Sequence, residues 1–461
     1  MKRFNNLPYH LGLKVRIYPN YRQKAIIKAN SNAYRYWYNR QLGLDYYQYE
    51  IKSRYGLDNS LINRWYDSIY DKRKLTYAKQ LYPWLKNKKI DSLACNSAYL
   101  NHKQAWKNYR NGLQHKPTYH AKKRHPYLWR YQTSCVGKSV QIIDKNHIKV
   151  PKLKRVRTSK IRDVILNKSD LRFGRITITK DNTDQSYASF QLGSMTPFVT
   201  LDHRSSELAS LGYDLNTSNF LMDSNTDYVG NPRYYEKAEK KLHWLQHCLS
   251  RKYRHNSSRR LRDCKDYQKN RRAVAHVKKH VKNQRFNFLQ RLSTKLIENQ
   301  DFLVGENLKS KNMLKNHRIA KSIQSVGWRS FIGMLAYKAI LYHKIYVLVN
   351  PAYTTQKCSN CGYVCSKKDG THLDLSDRQW TCPKCGAHHI RDVNASINIL
   401  NSGIKQILGY LPKSVRTSVR MATDGHKLAQ CNHHWLQYLV THYYGVLDET
   451  VQHDAKLVRE D

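Results

Sequence analysis

Four cysteines and three acids carry the chemistry that this sequence is equipped for. Cys358-x-x-Cys361 and Cys382-x-x-Cys385 are two knuckles of matching form separated by twenty residues, and each is followed by a glycine, Gly362 and Gly386. Each knuckle offers two thiolates, so the pair completes the tetrahedral set of a structural zinc ion, while the glycines relieve the tight backbone that follows. Cys365 is a near neighbour and a fifth candidate ranked below the paired four, and His388 and His389 could also compete, but they lie outside the knuckle geometry. The acids are Asp214 in the apolar run SLGYDLNTSNFLM, Glu306 directly after the short apolar run DFLVG, and Asp392 at the start of a helical pattern. In that pattern Val393, Ile397 and Leu400 share one face. Carboxylates at strand ends and at a helix start can converge to hold two divalent cations, as metal-assisted phosphodiester hydrolysis requires, and hard oxygen ligands suit magnesium. Each acid alone also has a plainer reading. Asp392 suits a helix N-terminus, Asp214 could open a turn with Asn216, and Glu306 could pair with a lysine.

Those side chains need elements to hold them. A strand beginning near Leu208 should end at Asp214, and a buried strand over Phe302–Val304 should deliver Gly305 and Glu306. Between them runs a basic helical stretch, Tyr234 to Gln300, whose interior His255–Arg260 (HNSSRR) reads as the turn of a helical hairpin. A helix near Trp328–Tyr342 and a strand Ile345–Val349 follow. Upstream, Leu11–Tyr18 alternates basic and apolar residues like a half-buried strand, and Pro19 stops it. Helical sequence rich in Tyr and Arg extends from Gln23 past Tyr47 to about Leu113, and the breaker-and-base segment KPTYHAKKRHPYLWRYQT (Lys116–Thr133) ends it. From there to about Leu201 the chain reads as short strands, for example Val140–Ile143, Ile148–Val150, Arg175–Ile178 and Tyr187–Leu192. A strand, a helical insertion and more strands predict a small β-barrel interrupted by a helical lobe. Gly137-Lys138-Ser139 ends like a phosphate-binding loop, but Gln132 stands where its first glycine belongs, so a plain loop is expected.

The charge narrows the class of partner. The 461 residues include 82 Lys plus Arg against 33 Asp plus Glu, a formal net charge of +49. A field of that size, spread through the chain, favours a polyanion, because each neutralised phosphate releases counterions. No apolar run has the length of a membrane span and Met1–Leu11 lacks a signal-peptide core, so no membrane partner and a cytoplasmic location are expected. In that compartment the scattered Cys95, Cys135, Cys248 and Cys264 read as buried small hydrophobes, and Cys431 with His433 and His434 lacks a partner pair. The absence of HExxH and GxSxG removes support for zinc-hydrolase and serine-hydrolase chemistry.

The order of these features resembles the transposon-encoded TnpB (OrfB) family, compact relatives of type V CRISPR effectors. The resemblance runs to about residue 402. It begins with LKVRIYPN (Leu13–Asn20) and AYRYWYNRQL (Ala33–Leu42), and continues through KPTYHAKKR (Lys116–Arg124) and IKVPKLKRVR (Ile148–Arg157). It ends in YDLN at Asp214, VGEN at Glu306 and RDVNAS at Asp392. Its most specific part is YTTQKCSNCG followed by WTCPKCGAHHIRDVNAS, a ribbon directly before a DVNA block. Two positions depart from the family pattern. Asn216 stands where glycine is usual after Asp-Leu, and Ile390 where an acid often precedes Arg391-Asp392.

The resemblance implies a multidomain α+β chain. A wedge-type β-barrel (1–30 and 126–203) would carry an inserted helical recognition lobe (31–125). An RNase H-like (RuvC) nuclease domain (204–354 and 388–402) would carry an inserted zinc ribbon (355–387), with a tail of open role at 403–461. It implies that Asp214, Glu306 and Asp392 are catalytic acids holding magnesium, that the four cysteines bind zinc structurally, and that the partners are a transposon-derived guide RNA and target double-stranded DNA beside a short target-adjacent motif. A monomeric ribonucleoprotein is the expected assembly. Nucleic acid would then be gripped through its backbone and shape, with sequence read by pairing. Arg16, Tyr18, Arg35, Tyr38, Asn39, Arg40, Lys122, Lys123, Arg124 and Arg130 are the expected contacts, by aromatic stacking and phosphate binding, while Trp37 and Trp129 are expected to pack the protein interior. Rival readings are a small type V CRISPR effector, a nuclease-inactive RNA-guided repressor, and a zinc-ribbon DNA-binding factor without catalysis.

Overall fold

The computed structural model describes residues 4–56, 74–121, 128–199, 209–255, 261, 263–308, 325–374 and 376–410. The chain divides into two units, Met1–Phe198 and Val199–Asp461.

In the first unit, alternation makes β1 (Tyr9–Tyr18): Val15 and Ile17 are buried while Lys14, Arg16 and Tyr18 face outward. Pro19 ends the strand, and Asn20 starts α1 (Tyr21–Tyr55) with a reciprocal capping box to Gln23. Gly56, at φ 58°, closes that helix in the left-handed conformation that glycine adopts without a Cβ penalty. Two further helices, α2 (Leu75–Leu81) and α3 (Ser92–Arg110), complete a helical layer around Ala33, Trp37, Tyr38, Leu42, Ala78, Leu85, Cys95 and Ala98. Six more strands follow: β2 (Trp129–Ser134), β3 (Gln141–Asp144), β4 (His147–Val150), β5 (Lys154–Thr158), β6 (Arg172–Lys180) and β7 (Ser186–Ser194). A single turn, α4 (Asp163–Leu166), precedes β6. With β1 they form one antiparallel seven-stranded sheet in the order β2-β6-β7-β1-β5-β4-β3. Its ends, β2 and β3, are not paired with each other among the described residues.

One of those strands corrects the sequence reading, and another adds to its expected strands. Trp129–Ser134 reads as the end of a basic, breaker-rich segment, yet Tyr131 and Thr133 point inward and pair the segment with β6. Lys154–Thr158 reads as a lysine-rich stretch, yet Val156 and Thr158 alternate inward and join β1 to β4. In both, charge on the solvent face masks the period-two pattern. Among the scattered cysteines, Cys95 is buried as expected, whereas Cys135, Cys248 and Cys264 are only half-buried. Cys431, His433 and His434 lie outside the described residues.

The second unit is built on a five-stranded sheet: β8 (Ser210–Asp214), β9 (Asn219–Asp223), β10 (Tyr228–Gly230), β11 (Phe302–Glu306) and β12 (Ile345–Val349), in the order β10-β9-β8-β11-β12. The first three run antiparallel, while β11 lies parallel to both β8 and β12. A parallel neighbour needs a crossover, which the basic helices α5 (Tyr234–His255) and α6 (Lys265–Asn299) provide between β10 and β11. They pack through Leu242, Leu245 and Val274, and the break falls where the hairpin turn is expected, although residues 256–260 themselves lie outside the described residues. α7 (Trp328–Leu341) crosses from β11 to β12.

Alternation along the strands fills both faces of this sheet. Leu211, Tyr213 and Leu303 pack with Leu289, Ile297, Phe331 and Leu335 from α6 and α7. Phe302, Val304, Val347 and Val349 pack on the opposite face with Ile399 and Ile407 of α8 (Arg391–Tyr410). That helix does not bury the Val393–Ile397–Leu400 face read from the sequence. Ala395 and Ile399 are buried, together with Asn394, Ser396 and Asn398, whereas Val393, Ile397 and Leu400 are half-buried. Amides facing a polar backbone shift the buried face, and a search for apolar periodicity does not register them. Close approach sets the depth of α8: a Cβ at Gly212 would lie 2.3 Å from the Ser396 carbonyl and 2.7 Å from Leu400 Cβ.

Candidate active site and metal centre

β8 and β11 run side by side with Ser210 opposite Phe302, and Asp214 and Glu306 each lie four residues further along. Both acids therefore stand at the carboxyl ends of adjacent parallel strands, where an open α/β sheet presents its crevice. Asp214 is 8% exposed and Glu306 7%. Asp392 lies in the first turn of α8, and Asn216, two residues beyond Asp214, reaches it. Burial pushes the Asp214 carboxyl up to about 8, and the negative charges of Glu306 and Asp392 add to that rise. Burial also raises Glu306, and the Thr354 hydroxyl, donating to its Oε1 at 2.6 Å, opposes the rise. A third buried acid of the sheet, Asp223, differs in kind. Its Oδ1 accepts the backbone N–H groups of Asn225 and Asp227 at 2.9 Å each, so it closes the β9–β10 turn.

Asp392 is held from three directions. Asn216 Nδ2 donates to its Oδ2 at 3.2 Å, Arg391 Nε donates to its Oδ1 at 3.3 Å, and Arg378 Nη1 lies 3.7 Å from Oδ2. The structure thus groups the three sequence-predicted acids closely enough for Asp214 to feel both others. Their oxygens are spread more widely than the cysteine sulfurs: the four cysteines are the one set of three or more such residues, among those described, with every donor atom within 4.8 Å of the rest. Clustered, buried carboxylates repel one another without a cation, and their oxygen donors fit magnesium.

Cys358, Cys361, Cys382 and Cys385 make the second centre. The Cys358 and Cys361 turn closes through the Gly362 N–H on the Cys358 carbonyl, and the second turn closes the same way from Gly386 to Cys382 (both 2.9 Å). Gly362 and Gly386 sit at φ 77° and 71°, the left-handed conformation that the knuckle geometry demands. The Ala387 N–H draws the Cys385 thiol down to about 6, whereas burial and the neighbouring sulfurs push Cys361 up to about 12 and burial raises Cys358. Four sulfurs with no open position is the donor set of a structural zinc ion, and these residues fit it. Cys365 is not one of the four clustered sulfurs but packs with Cys358, Cys382 and Trp380 in the small ribbon core. His389 comes closer to the cysteines than its place in the sequence suggests. β13 (Gln379–Thr381) pairs with β14 (His388–Ile390), Trp380 opposite His389, and the pairing brings His389 Nε2 to 3.1 Å from Cys358 Sγ.

The expected nucleic-acid contacts separate in the structure. Arg16, Tyr18 and Arg130 are exposed on the seven-stranded sheet, Tyr18 at 45%. Arg16 lies 5.0 Å and Arg157 5.7 Å from the Tyr18 ring, Lys14 lies 4.8 Å from the Tyr187 ring, and Arg155 is exposed beside them. Tyr38 is instead 5% exposed and stacked on His120 at 4.0 Å, inside the helical layer. Asn39 spends its amide on the His120 backbone, accepting its N–H at 2.8 Å and donating to its carbonyl at 3.2 Å. Both belong to packing. Arg35 and Arg40 are half-buried, and Lys122, Lys123 and Arg124 lie outside the described residues. Trp37 is buried as expected, but Trp129 is half-buried at the sheet edge with Lys180 Nζ 4.0 Å from its ring.

Family models match two stretches of the second unit. A "Probable transposase" model matches residues 199–317, and a "Cas12f1-like, TNB domain" model matches residues 328–399, which hold the four cysteines and Asp392. A Methanocaldococcus jannaschii protein, a transposase by name, is 30% identical over 102 residues, which make 22% of this chain and 90% of that protein. The chain belongs to the TnpB family. A Streptomyces pristinaespiralis protein, an RNA-guided DNA endonuclease by name, is 30% identical over 230 residues. That match covers 50% of this chain and 52% of the relative, so the chain spans about half the length of that TnpB relative. A solved Cas12f1–sgRNA–target DNA complex aligns over 86% of this chain and 100% of its own, with 13% identity and a TM-score of 0.31. No helix among the described residues of this TnpB-family chain is long and apolar enough to cross a membrane.

Sequence reasoning missed Asn216, Thr354, Arg378, Asn394 and Asn398 as partners of the site. Asn216 was visible as a departure from the family pattern and as a turn partner for Asp214, not as a partner of Asp392; the others gave no signal, because their partners lie 14 to 48 residues away and are mostly backbone atoms or acids.

Proposed function

We propose that this chain is an RNA-guided DNA endonuclease, with Asp214, Glu306 and Asp392 as its catalytic acids. A guide RNA transcribed from the transposon end would pair with one strand of target double-stranded DNA beside a short target-adjacent motif. The observation that carries the reading is the placement of Asp214 and Glu306 at the ends of adjacent parallel strands, with Asp392 near enough that its charge, after burial and the charge of Glu306, adds to the rise of Asp214. The strand order, three antiparallel strands joined to two parallel ones with helices on both faces, supports an RNase H-like nuclease domain. The seven-stranded sheet with its helical insertion supports the wedge and recognition-lobe assignment.

The three carboxylates would hold two magnesium ions, which when bound supply an activated water and charge stabilisation for in-line displacement at phosphorus. The protein's own part is to assemble the charges. Burial keeps Asp214 and Glu306 from dispersing their charge into water, Thr354 orients Glu306, and Asn216 with Arg391 orients Asp392. Arg378 and Arg391 also place positive charge beside the crevice, where a phosphodiester would enter. On the sheet, Arg16, Arg155 and Arg157 would neutralise phosphates while Tyr18 offers a face for a base. Arg130 extends the same exposed face towards the sheet edge.

The test is cleavage of guide-matched DNA by the ribonucleoprotein. Asp214→Ala should abolish cutting while RNA and DNA binding persist, and continued cutting would remove Asp214 from the active site. Sequencing the RNA that co-purifies with the chain decides the source of the guide: a transposon-end transcript supports the proposal, and a CRISPR RNA replaces its first half.

A further inference from the structure

The helix that carries Asp392 is fastened to the first cysteine knuckle by buried amides. Asn394, 1% exposed, accepts the Ser359 backbone N–H at 2.9 Å and donates to the Lys357 carbonyl at 2.8 Å, gripping the backbone on both sides of Cys358. A donor on one side and an acceptor on the other fix which way this amide faces. One turn further along, Asn398, 5% exposed, donates to the Lys357 and Thr354 carbonyls at 2.6 and 2.9 Å. The hydroxyl of that same Thr354 donates to Glu306. From the other side of the ribbon, the Arg378 carbonyl accepts the Arg391 N–H at 2.9 Å, and the Arg378 guanidinium lies beside Asp392.

Directed contacts therefore run from the knuckle backbone to two of the three acids. One path passes through Asn394 to the first turn of α8 and Asp392. The other passes through Asn398 and Thr354 to Glu306. The Lys357–Gly362 backbone has the shape these amides need because Cys358 and Cys361 turn towards one point, and without an ion nothing compels four thiols to stay there. A buried amide that loses its partners is costly, so α8 cannot keep its seat when the knuckle opens.

We propose that Asn394 and Asn398 are positioning residues through which the metal-bound knuckle sets Asp392 and Glu306, so that the acid site assembles only when the ribbon holds its ion. This rests on the reading of those acids as the nuclease site. It assigns the zinc ribbon a controlling part in assembling the site, and it gives the asparagines of RDVNASIN a task distinct from that of the aspartate.

The experiment uses the full-length ribonucleoprotein and reads hydrogen exchange by mass spectrometry, zinc content, and cleavage across a magnesium series. In Asn394→Ala and Asn398→Ala, zinc should stay at about one ion per chain and the ribbon peptides around 376–390 should keep their protection. Peptides within 391–399 should exchange about tenfold faster, and the magnesium concentration for half-maximal cleavage should rise about tenfold, because weakly held carboxylates bind the metal less well. Asn394→Asp, which keeps the acceptor for Ser359 and loses the donor to Lys357, should fall between the wild type and Asn394→Ala. Stripping zinc from the wild-type complex should deprotect 391–399, and adding zinc back should restore it; this arm needs no variant to fold. Unchanged exchange at 391–399 after zinc removal overturns the proposal, and so does an Asn394→Ala protein with wild-type protection and magnesium dependence. If Asp214→Ala still cuts DNA, the nuclease reading fails instead, while the exchange measurements decide the coupling separately.

Discussion

Asn216 and Asp392, 176 positions apart in sequence, meet at 3.2 Å, the amide donating to the carboxylate. The other end of the same amide accepts the Asn219 N–H at 2.8 Å and so closes the β8–β9 hairpin. That second bond fixes the amide's orientation and leaves its N–H groups facing the acid. A residue that reads as a departure from the family pattern is therefore a tie between the strand that ends in Asp214 and the helix that begins at Asp392. Asn216→Ala should lower the cleavage rate about tenfold, equivalent to about 1.4 kcal/mol, with unchanged affinity for guide and target. Asn216→Asp should be worse, because it sets a like charge against Asp392. Single-turnover cleavage beside equilibrium binding separates rate from affinity, and a wild-type rate in Asn216→Ala would show that the tie is dispensable.

Asp214 gives the site a pH dependence with a definite sign. Its carboxyl lies at about 8 in the folded chain against an ordinary value of 3.8. Between those values the folded chain holds a proton that the unfolded chain has released, so stability falls as pH rises from about 4 to about 8. In magnesium-free buffer the melting temperature should decline across that window, and Asp214→Asn should flatten the decline. Magnesium should reverse it at the alkaline end, because the cation competes with the proton for the carboxylate. For the same reason cleavage at limiting magnesium should increase with pH up to about 8, and at saturating magnesium the increase should shift to lower pH.

What the sequence makes legible follows from the range of each interaction. The knuckles, the strand-end acids and the element order are written in local spacing, and β8, β11, β12 and α7 lie close to where the apolar patterns predict them. Tyr38 and Asn39 show the opposite case. Both sit in a Tyr-Arg-rich run that reads as a nucleic-acid surface, yet one helix face of that run is packed against His120, and no local pattern says which face is inward. His389 likewise stands apart from the knuckles in spacing and reaches Cys358 only through the β13–β14 pairing. The buried asparagines of α8 are polar residues on an inward face, which hydrophobic periodicity treats as noise.

The seat of α8 on the sheet depends on a missing side chain. At Gly212 an added Cβ would meet the Ser396 carbonyl at 2.3 Å and Leu400 Cβ at 2.7 Å, both fixed parts of α8. Gly212→Ala must push the helix away from β8, and Asp392 travels with it. Overpacking of this kind costs about 1–3 kcal/mol. Denaturant unfolding should show the loss, and cleavage should fall further than stability alone explains, because the folded fraction that remains carries a displaced acid. Gly230, whose Cβ would meet nothing within 4 Å, is the control, and Gly230→Ala should leave both measurements close to wild type.

The exposed face of the seven-stranded sheet should betray its partner through salt. Arg16, Arg155 and Arg157 are exposed there with Tyr18 among them, and the chain as a whole carries a net charge of +49. Each phosphate neutralised releases counterions, so the logarithm of affinity should fall linearly with the logarithm of salt concentration, with a slope of about 0.7–0.9 per contact. Arg16→Ala and Arg157→Ala should each weaken RNA or DNA binding and reduce that slope by roughly one contact. Tyr18→Ala should act differently. Stacking of a base on its ring is worth about 1–3 kcal/mol and releases no counterions, so affinity should drop by about tenfold or more at every salt concentration while the slope holds. Filter binding across a salt series distinguishes the two classes. Tyr38→Phe, at a ring already stacked inside the helical layer, should change neither affinity nor slope. A loss there equal to the loss at Tyr18 would restore Tyr38 to the binding surface.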